Sequence, residues 1–479
     1  MKSTILRRSS LMAMAALAGG GLAGAAWAQT AKPEIREPAG SPVLSDADIR
    51  KILVERIDTM HQGVGIVVGV IEPGGRRVIT HGRLAKGDPR PLSGETIFEI
   101  GSVTKVFTSL LLADMVQRGE VALTDPVAKY LPGSVKVPQR NGKSITLQDL
   151  ASQTSGLPRM PDNFSPKDPA NPYADYAPEQ LFAFLSSYQL TREIGSKYEY
   201  SNLGVGLLGQ ALARRTGMDF EQLVRTRIAE PLGMKSTGVT LTASQKARLA
   251  AGYDGQLAPA ANWDIPTLAG AGALRSDADD MLVFLAANLG YTKSKLAPAM
   301  AAMLAHRQPT GLPGVDIALG WHLSTKDGSE IVWHNGGTGG YRSFIGFNPK
   351  TRVGVVALSN ASTAAGVDDI GRHLIDASLP LLAPPVEHKE IALAPSKMDG
   401  FPGRYQLAPD FVLTITLEGD GLFAQATGQP KFQLYPEGER KFFLKVVDAQ
   451  ITFEGDLKGK TGGLVLHQGG RNTPGKRLD

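Results

Sequence analysis

Strand-forming segments stand at both ends of the longer part of the chain, and helix-forming text fills the space between them. Residues 65–71 (Gly-Ile-Val-Val-Gly-Val-Ile), the turn Glu72-Pro73-Gly74-Gly75 and residues 76–79 read as a hairpin. A helix precedes it, opened by the capping sequence Ser45-Asp46-Ala47-Asp48 and running to about Met60. Strands return at 330–333, 341–347 and, after the turn Asn348-Pro349-Lys350-Thr351, at 352–358, with a helix near 367–379. Between them, apolar Val106, Phe107, Leu110, Leu111 and Met115 recur at helical spacing up to Gly119. From about 146 to 302 the text is helical patches broken by Pro and Gly, including 203–216 and a helix capped by Ser276 and Asp279. Strands separated by such a middle must pair through the ends of the unit. This predicts an α+β body: an antiparallel sheet flanked by helices, closed by its terminal segments, plus a helical subdomain.

The texture changes after Leu381-Leu382-Ala383-Pro384-Pro385. Residues 386–395 read as a linker, and 396–479 as a small all-β domain, a sandwich or partial barrel, with runs at 411–417, 422–426, 441–446, 451–453 and 464–468. At the other end, Lys2, Arg7 and Arg8 precede an uncharged stretch that closes with Ala26-Trp27-Ala28. Residues 1–28 are therefore expected to be an export signal cleaved after Ala28, of Sec or twin-arginine type, leaving no membrane span and a periplasmic or secreted protein. The body then covers residues 29–385.

Composition removes several kinds of chemistry. Of the formal charge of +5, the leader carries three positive groups and no acid, so the remaining +2 leaves no electrostatic footprint for nucleic acid. With no cysteine, thiol nucleophiles, disulfides and iron–sulfur clusters are excluded, and the eight histidines show no tight metal-ligand spacing. No cofactor is expected.

Three short elements carry nucleophilic chemistry instead. Ser102-Val103-Thr104-Lys105 is the one Ser-x-x-Lys in the chain, at the point where strand gives way to helix. Residues at i and i+3 share a helical face, so the Lys105 amine reaches the Ser102 hydroxyl. A serine needs a base at neutral pH, and a lysine serves if desolvation or neighbouring positive charge lowers its pKa. Tyr200-Ser201-Asn202 is the one Tyr-x-Asn: the phenol suits proton transfer to a leaving group, and the carboxamide suits holding the lysine and a substrate amide. His334-Asn335-Gly336-Gly337 follows an apolar run, and its glycines permit close backbone approach. The N–H of Gly337 is expected to join that of Ser102 as an oxyanion hole.

In this order the motifs resemble the penicillin-recognising serine hydrolases, in particular class C β-lactamases and D-alanyl-D-alanine carboxypeptidase/endopeptidases. The resemblance runs from about residue 50 to 380 and includes residues 98–105, 145–158, 200–204 and Pro231-Leu232-Gly233-Met234. It implies a β-lactamase/D,D-peptidase-like fold, an acyl-enzyme on Ser102, Lys105 and Tyr200 as coupled bases, and substrate held by Asn202, His334, Asn335, Gly336 and Gly337. The C-terminal module is similar to lipocalin-like β domains appended to some members. Class C enzymes carry Lys-Thr-Gly where this chain has His334-Asn335-Gly336, which tilts the expected substrates toward D-alanyl peptides, with peptidoglycan as their source and β-lactams bound or hydrolysed. The alternatives are a true β-lactamase, an esterase, or a non-turnover penicillin sensor or wall-binding protein.

Two literal motif matches are declined. Lys460-Thr461-Gly462-Gly463 has the lactamase spelling but lies 260 residues beyond Tyr200, in the β module, whereas His334 lies 134 beyond. Gly204-x-Gly206-x-x-Gly209 spells a dinucleotide fingerprint but follows polar text, not a buried strand, and is read as small residues for close helix packing.

Overall fold

The computed structural model describes residues 43–383, 388–408, 411–427, 431–445, 449–455, 461–468 and 471–479. The expected leader, part of the linker and Lys460 lie outside them.

One sheet organises the body. Its strands are β1 (Gly65–Glu72), β2 (Gly75–Gly82), β3 (Gln308–Pro309), β4 (Val315–Ile317), β5 (His322–Lys326), β6 (Ser329–Gly337), β7 (Arg342–Asn348) and β8 (Val353–Ser359), in the spatial order β2-β1-β8-β7-β6-β5-β4-β3. Every pairing is antiparallel, and β1 lies along β8 from Ile66 opposite Ser359 to Ile71 opposite Gly354. The two ends of the unit thus close the sheet, as the strand placement requires. Strands β3 to β5 extend it beyond the edge that the hydrophobic runs marked.

The principal helices are α1 (Asp46–Val54), α2 (Thr104–Gln117), α3 (Asn202–Thr216), α4 (Ala278–Asn288) and α5 (Asp368–Ile375). Helices cover both faces of the sheet, so β1 is buried along its whole length and reads as a continuous apolar run instead of alternating. Ile66, Val68 and Val70 share a core with Ile49 and Leu53 of α1 and Ile370 and Leu374 of α5. Val67 and Ile71 face the larger core, with Leu282 and Leu285 of α4 and the apolar residues of α2. Helix α1 is capped by Ser45, whose hydroxyl accepts from the Asp48 N–H. Helix α4 is capped by Asp277, which accepts from the Asp280 N–H, and not by Ser276 or Asp279. The glycines of α3 do bring backbones together: a Cβ on Gly209 would sit 3.0 Å from the Gly270 Cα.

The C-terminal strands form a closed barrel of eight. Five coincide with the predicted runs, and Gly403–Ala408, Lys431–Pro436 and Arg471–Arg477 complete the ring. Closure removes the free edges that a partial barrel would leave. Its interior is filled by Phe401, Tyr405, Ile415, Leu422, Phe442, Ile451, Phe453 and Leu464, with Phe401 stacked on Phe453 at 4.2 Å between centroids.

Candidate active site

Ser102 sits on a single 3-10 turn, Gly101–Val103, that leads directly into α2. Gly101 has φ +48°, and a Cβ on it would stand 2.7 Å from the Gly337 nitrogen. A Cβ on Gly336 would collide with the Ile100 carbonyl. Glycine at these two positions lets the serine turn and strand β6 meet backbone to backbone, which puts the Gly337 N–H beside Ser102. Ser343 on β7 secures the turn by donating to the Ile100 carbonyl at 2.8 Å.

Lys105, in the first turn of α2, is fully buried. Its Nζ lies 2.9 Å from Ser102 Oγ, 2.9 Å from Asn202 Oδ1 and 2.6 Å from the Ala271 carbonyl oxygen. Burial, with a smaller contribution from the Arg159 charge, holds its pKa well below the usual lysine value. A neutral amine has two N–H bonds and one lone pair. The Asn202 and Ala271 oxygens only accept, so they take both N–H bonds, and the lone pair is left facing the Ser102 hydroxyl. That is the geometry of a base set against its nucleophile.

Tyr200 lies in the loop before α3, and Asn202 is the first residue of that helix. The Ser201 hydroxyl caps that helix by accepting from the Gly204 N–H at 2.8 Å, and it donates to the Pro158 carbonyl at 2.6 Å. The Tyr200 ring lies 4.8 Å from Lys105 Nζ and 5.1 Å from the Arg159 guanidinium carbon. Burial drives the Tyr200 pKa upward against the opposing pull of the Ser102 hydroxyl and Arg159, so the phenol stays protonated in the resting site. Asn202 Nδ2 reaches Tyr173 Oη at 3.2 Å, which orients its oxygen toward the lysine.

Strand β6 supplies the opposite wall. His334 is 1% exposed, with Nδ1 2.6 Å from the Asn335 carbonyl. The carbonyl only accepts, so Nδ1 carries the proton and Nε2 is the acceptor. Burial first, then His322 and Lys105, keep the His334 pKa far below that of free imidazole. A neutral His334 cannot form an ion pair with a carboxylate near pH 7, which limits it to hydrogen bonding. Asn335 donates to Asp368 Oδ2 at 2.5 Å.

The structure therefore brings Ser102, Lys105, Tyr200, Asn202, His334 and the Gly336-Gly337 backbone together, and places Asn335, held by Asp368, in the wall of the groove onto which Ser102 opens. It also adds residues that the motifs did not mark. His322 on β5 stacks on Trp333 at 4.8 Å, packs against His334 at 5.2 Å, and lies 3.0 Å from Tyr198 Oη. Burial pushes its pKa down to about 4. Arg159 lies next to Pro158 in a segment noted only for its likeness to the family, and the Ala271 contact is a backbone carbonyl with no side-chain signature. Among the described residues, no group of three or more His, Cys, Asp or Glu could hold a metal ion, and no helix is long and apolar enough to cross a membrane.

A buried amine against a serine, a phenol beside both, and a strand N–H opposite define a serine hydrolase. The chain belongs to the beta-lactamase family, whose profile matches residues 51–379, and a second profile, a domain of unknown function (DUF3471), matches 387–477. It is 32% identical over 313 residues to the D-alanyl-D-alanine-carboxypeptidase/endopeptidase AmpH of Escherichia coli K12, covering 62% of this chain and 80% of that protein. It is 28% identical over 333 residues to the beta-lactamase of the same organism, covering 62% and 84%. Among solved structures, a beta-lactamase/D-alanine carboxypeptidase from Yersinia pestis complexed with citrate superposes with a TM-score of 0.61 at 27% identity, covering 70% of this chain and 97% of that one. The expected family and fold are those found.

Proposed function

We propose that the protein is an exported amide hydrolase that cleaves D-alanyl peptides through an acyl-Ser102 intermediate and is acylated by β-lactams. The observation that carries this reading is the Lys105 amine, buried without a counter-charge and 2.9 Å from Ser102 Oγ. The steps follow from the geometry. Lys105 takes the Ser102 proton as Oγ bonds to the substrate carbonyl carbon. The Ser102 and Gly337 N–H groups hold the oxygen as it gains charge. The proton returns through the Tyr200 hydroxyl to the leaving nitrogen as the C–N bond breaks, and water then releases the acyl group with Ser102 reprotonated. Asn202, which lines the cleft beside Ser102, orients the acyl chain's amide, and His334 packs behind the Tyr200 ring. The named relatives support both substrate classes, and the neutral His334 in place of a lysine supports peptides over β-lactams. Export rests on the charged, then apolar, then small-residue order of residues 1–28.

A D-Ala-D-Ala peptide, a chromogenic cephalosporin and a short-chain ester should each be assayed beside Ser102→Ala. The peptide should be turned over fastest, and every activity should vanish in the variant. Cephalosporin turnover far above peptide turnover would make the protein a β-lactamase, and a stable adduct without turnover would make it a sensor.

A further inference from the structure

Two acceptors fix the direction of the Lys105 lone pair, and they are held in different ways. Asn202 opens the long helix α3 and has its own tie to Tyr173. The Ala271 carbonyl belongs to a four-residue helical turn, Ala269–Gly272. A turn that short does not hold its own shape. We propose that Thr108 and Gly209 are positioning residues for the base: they clamp this turn between α2 and α3, so that the Ala271 carbonyl aims the Lys105 lone pair at Ser102. The inference rests on Lys105 acting as a neutral base.

The α2 side of the clamp is polar. Lys105 and Thr108 share a helical face at i and i+3, Thr104 lies one turn before Thr108, and all three are fully buried. Thr108 Oγ1 lies 2.7 Å from the Gly270 carbonyl oxygen and 3.2 Å from that of Thr104. A hydroxyl has one hydrogen, and the shorter contact takes it. Thr104 Oγ1 accepts from the Leu274 N–H at 3.1 Å. Side chains from one short stretch of α2 thus hold residues 270, 271 and 274 in order, with Lys105 in the middle.

The α3 side is steric. A Cβ on Gly206 would stand 2.6 Å from Leu268 Cδ2, and one on Gly209 3.0 Å from the Gly270 Cα. A Cβ on Gly270 would stand 3.0 Å from the Val205 carbonyl oxygen and 3.2 Å from Thr108 Oγ1. Gly270 is therefore pressed between the α3 backbone and Thr108, with no room for a side chain on either wall. Glycine is a poor helix former, yet α3 carries it at 204, 206 and 209. At 206 and 209 it permits a contact that a side chain would block, so the Gly204-x-Gly206-x-x-Gly209 spelling serves the base and not a dinucleotide.

The test is the rate at which a penicillin labels Ser102 in the full-length protein, measured across pH and penicillin concentration. The charged or titratable groups facing Lys105 are Tyr200 and Arg159, with His334 and His322 from the sheet. Thr108→Val keeps the shape and removes the hydroxyl. It should lower the saturating rate about tenfold and leave the half-saturating concentration within about twofold, because a misdirected base slows the chemical step without changing binding. The acid limb of the profile should move to lower pH, since a carbonyl oxygen stabilises an ammonium more than an amine. Thr108→Ser should restore both the rate and the limb. Gly209→Ala, which keeps every hydroxyl, should reproduce the change, and it decides the matter if Thr108→Val does not fold. Folded variants with an unchanged saturating rate and an unmoved limb overturn the clamp and leave Lys105 as the base. A parent protein whose labelling has no acid limb overturns the reading of Lys105 itself.

Discussion

In the catalytic body, ionisable groups are buried where an acid–base reaction needs them uncharged: Lys105 and His334 are 0% and 1% exposed, with no carboxylate beside either. The C-terminal barrel keeps its interior apolar and pairs its charges nearer the surface, Lys445 with Glu390 and Lys397 with Glu439. Burying an amine without a counter-ion is costly, and shielded pairing is not. A desolvated base is therefore a mark of chemistry in the body, whereas the barrel's described residues show an apolar interior inside a closed strand ladder.

The comparison can be broken at the lysine. Lys105→Arg should lower kcat/KM by about 10³-fold, because a guanidinium cannot give up its proton to become the base. Tyr200→Phe should cost about 10²-fold, and the double variant less than the product of the two losses, as for residues in one proton path. Multiplying losses in the cycle would show that the two act separately.

Stability sharpens the same contrast. The Lys105 pKa is depressed in the folded protein from 10.5 in the free side chain, so the unfolded chain binds more protons between the two values. The burial penalty is absent above 10.5, grows as pH falls, and is complete below the folded pKa. Lys105→Met should therefore be more stable than the parent near pH 7, and thermal melts should show that advantage shrinking as pH rises toward 10. An advantage independent of pH would mean the lysine is charged in the fold.

The smallest effect on turnover is expected from the barrel. Phe442→Ala should cost about 3–5 kcal/mol of barrel stability through the cavity it opens. Removal of the chain after about residue 390 should leave small-peptide turnover within about twofold, since every proposed site residue precedes it. Loss of turnover of the smallest substrate by a folded truncation would show that the barrel completes the site.

Much of this arrangement was legible before the structure. Ser102, Lys105, Tyr200 and Asn202 lie in short motifs whose local spacing is their chemistry, and β1 and β8 announce themselves as uninterrupted apolar runs. What escaped notice depends on tertiary contact. Ala271 contributes a backbone carbonyl, and His322 reaches the site only because β5 pairs with β6. The cap of α4 was misplaced because Ser276, Asp277 and Asp279 all favour such positions, and backbone geometry chose Asp277. Three barrel strands went unread because Lys431–Pro436 and Arg471–Arg477 each include a proline and much polar text, while Gly403–Ala408 opens on a glycine.

The central claim is that Ser102 is the nucleophile and a neutral Lys105 its base. The most direct measurement is the rate at which a penicillin labels the protein, followed by intact mass across pH. A single adduct, absent from Ser102→Ala, should form at a rate that reaches its plateau well below the pH at which an ordinary lysine loses its proton and falls at lower pH as Lys105 is protonated. No adduct, an adduct that persists in Ser102→Ala, or a rate that climbs toward pH 10 as for an ordinary lysine would contradict it.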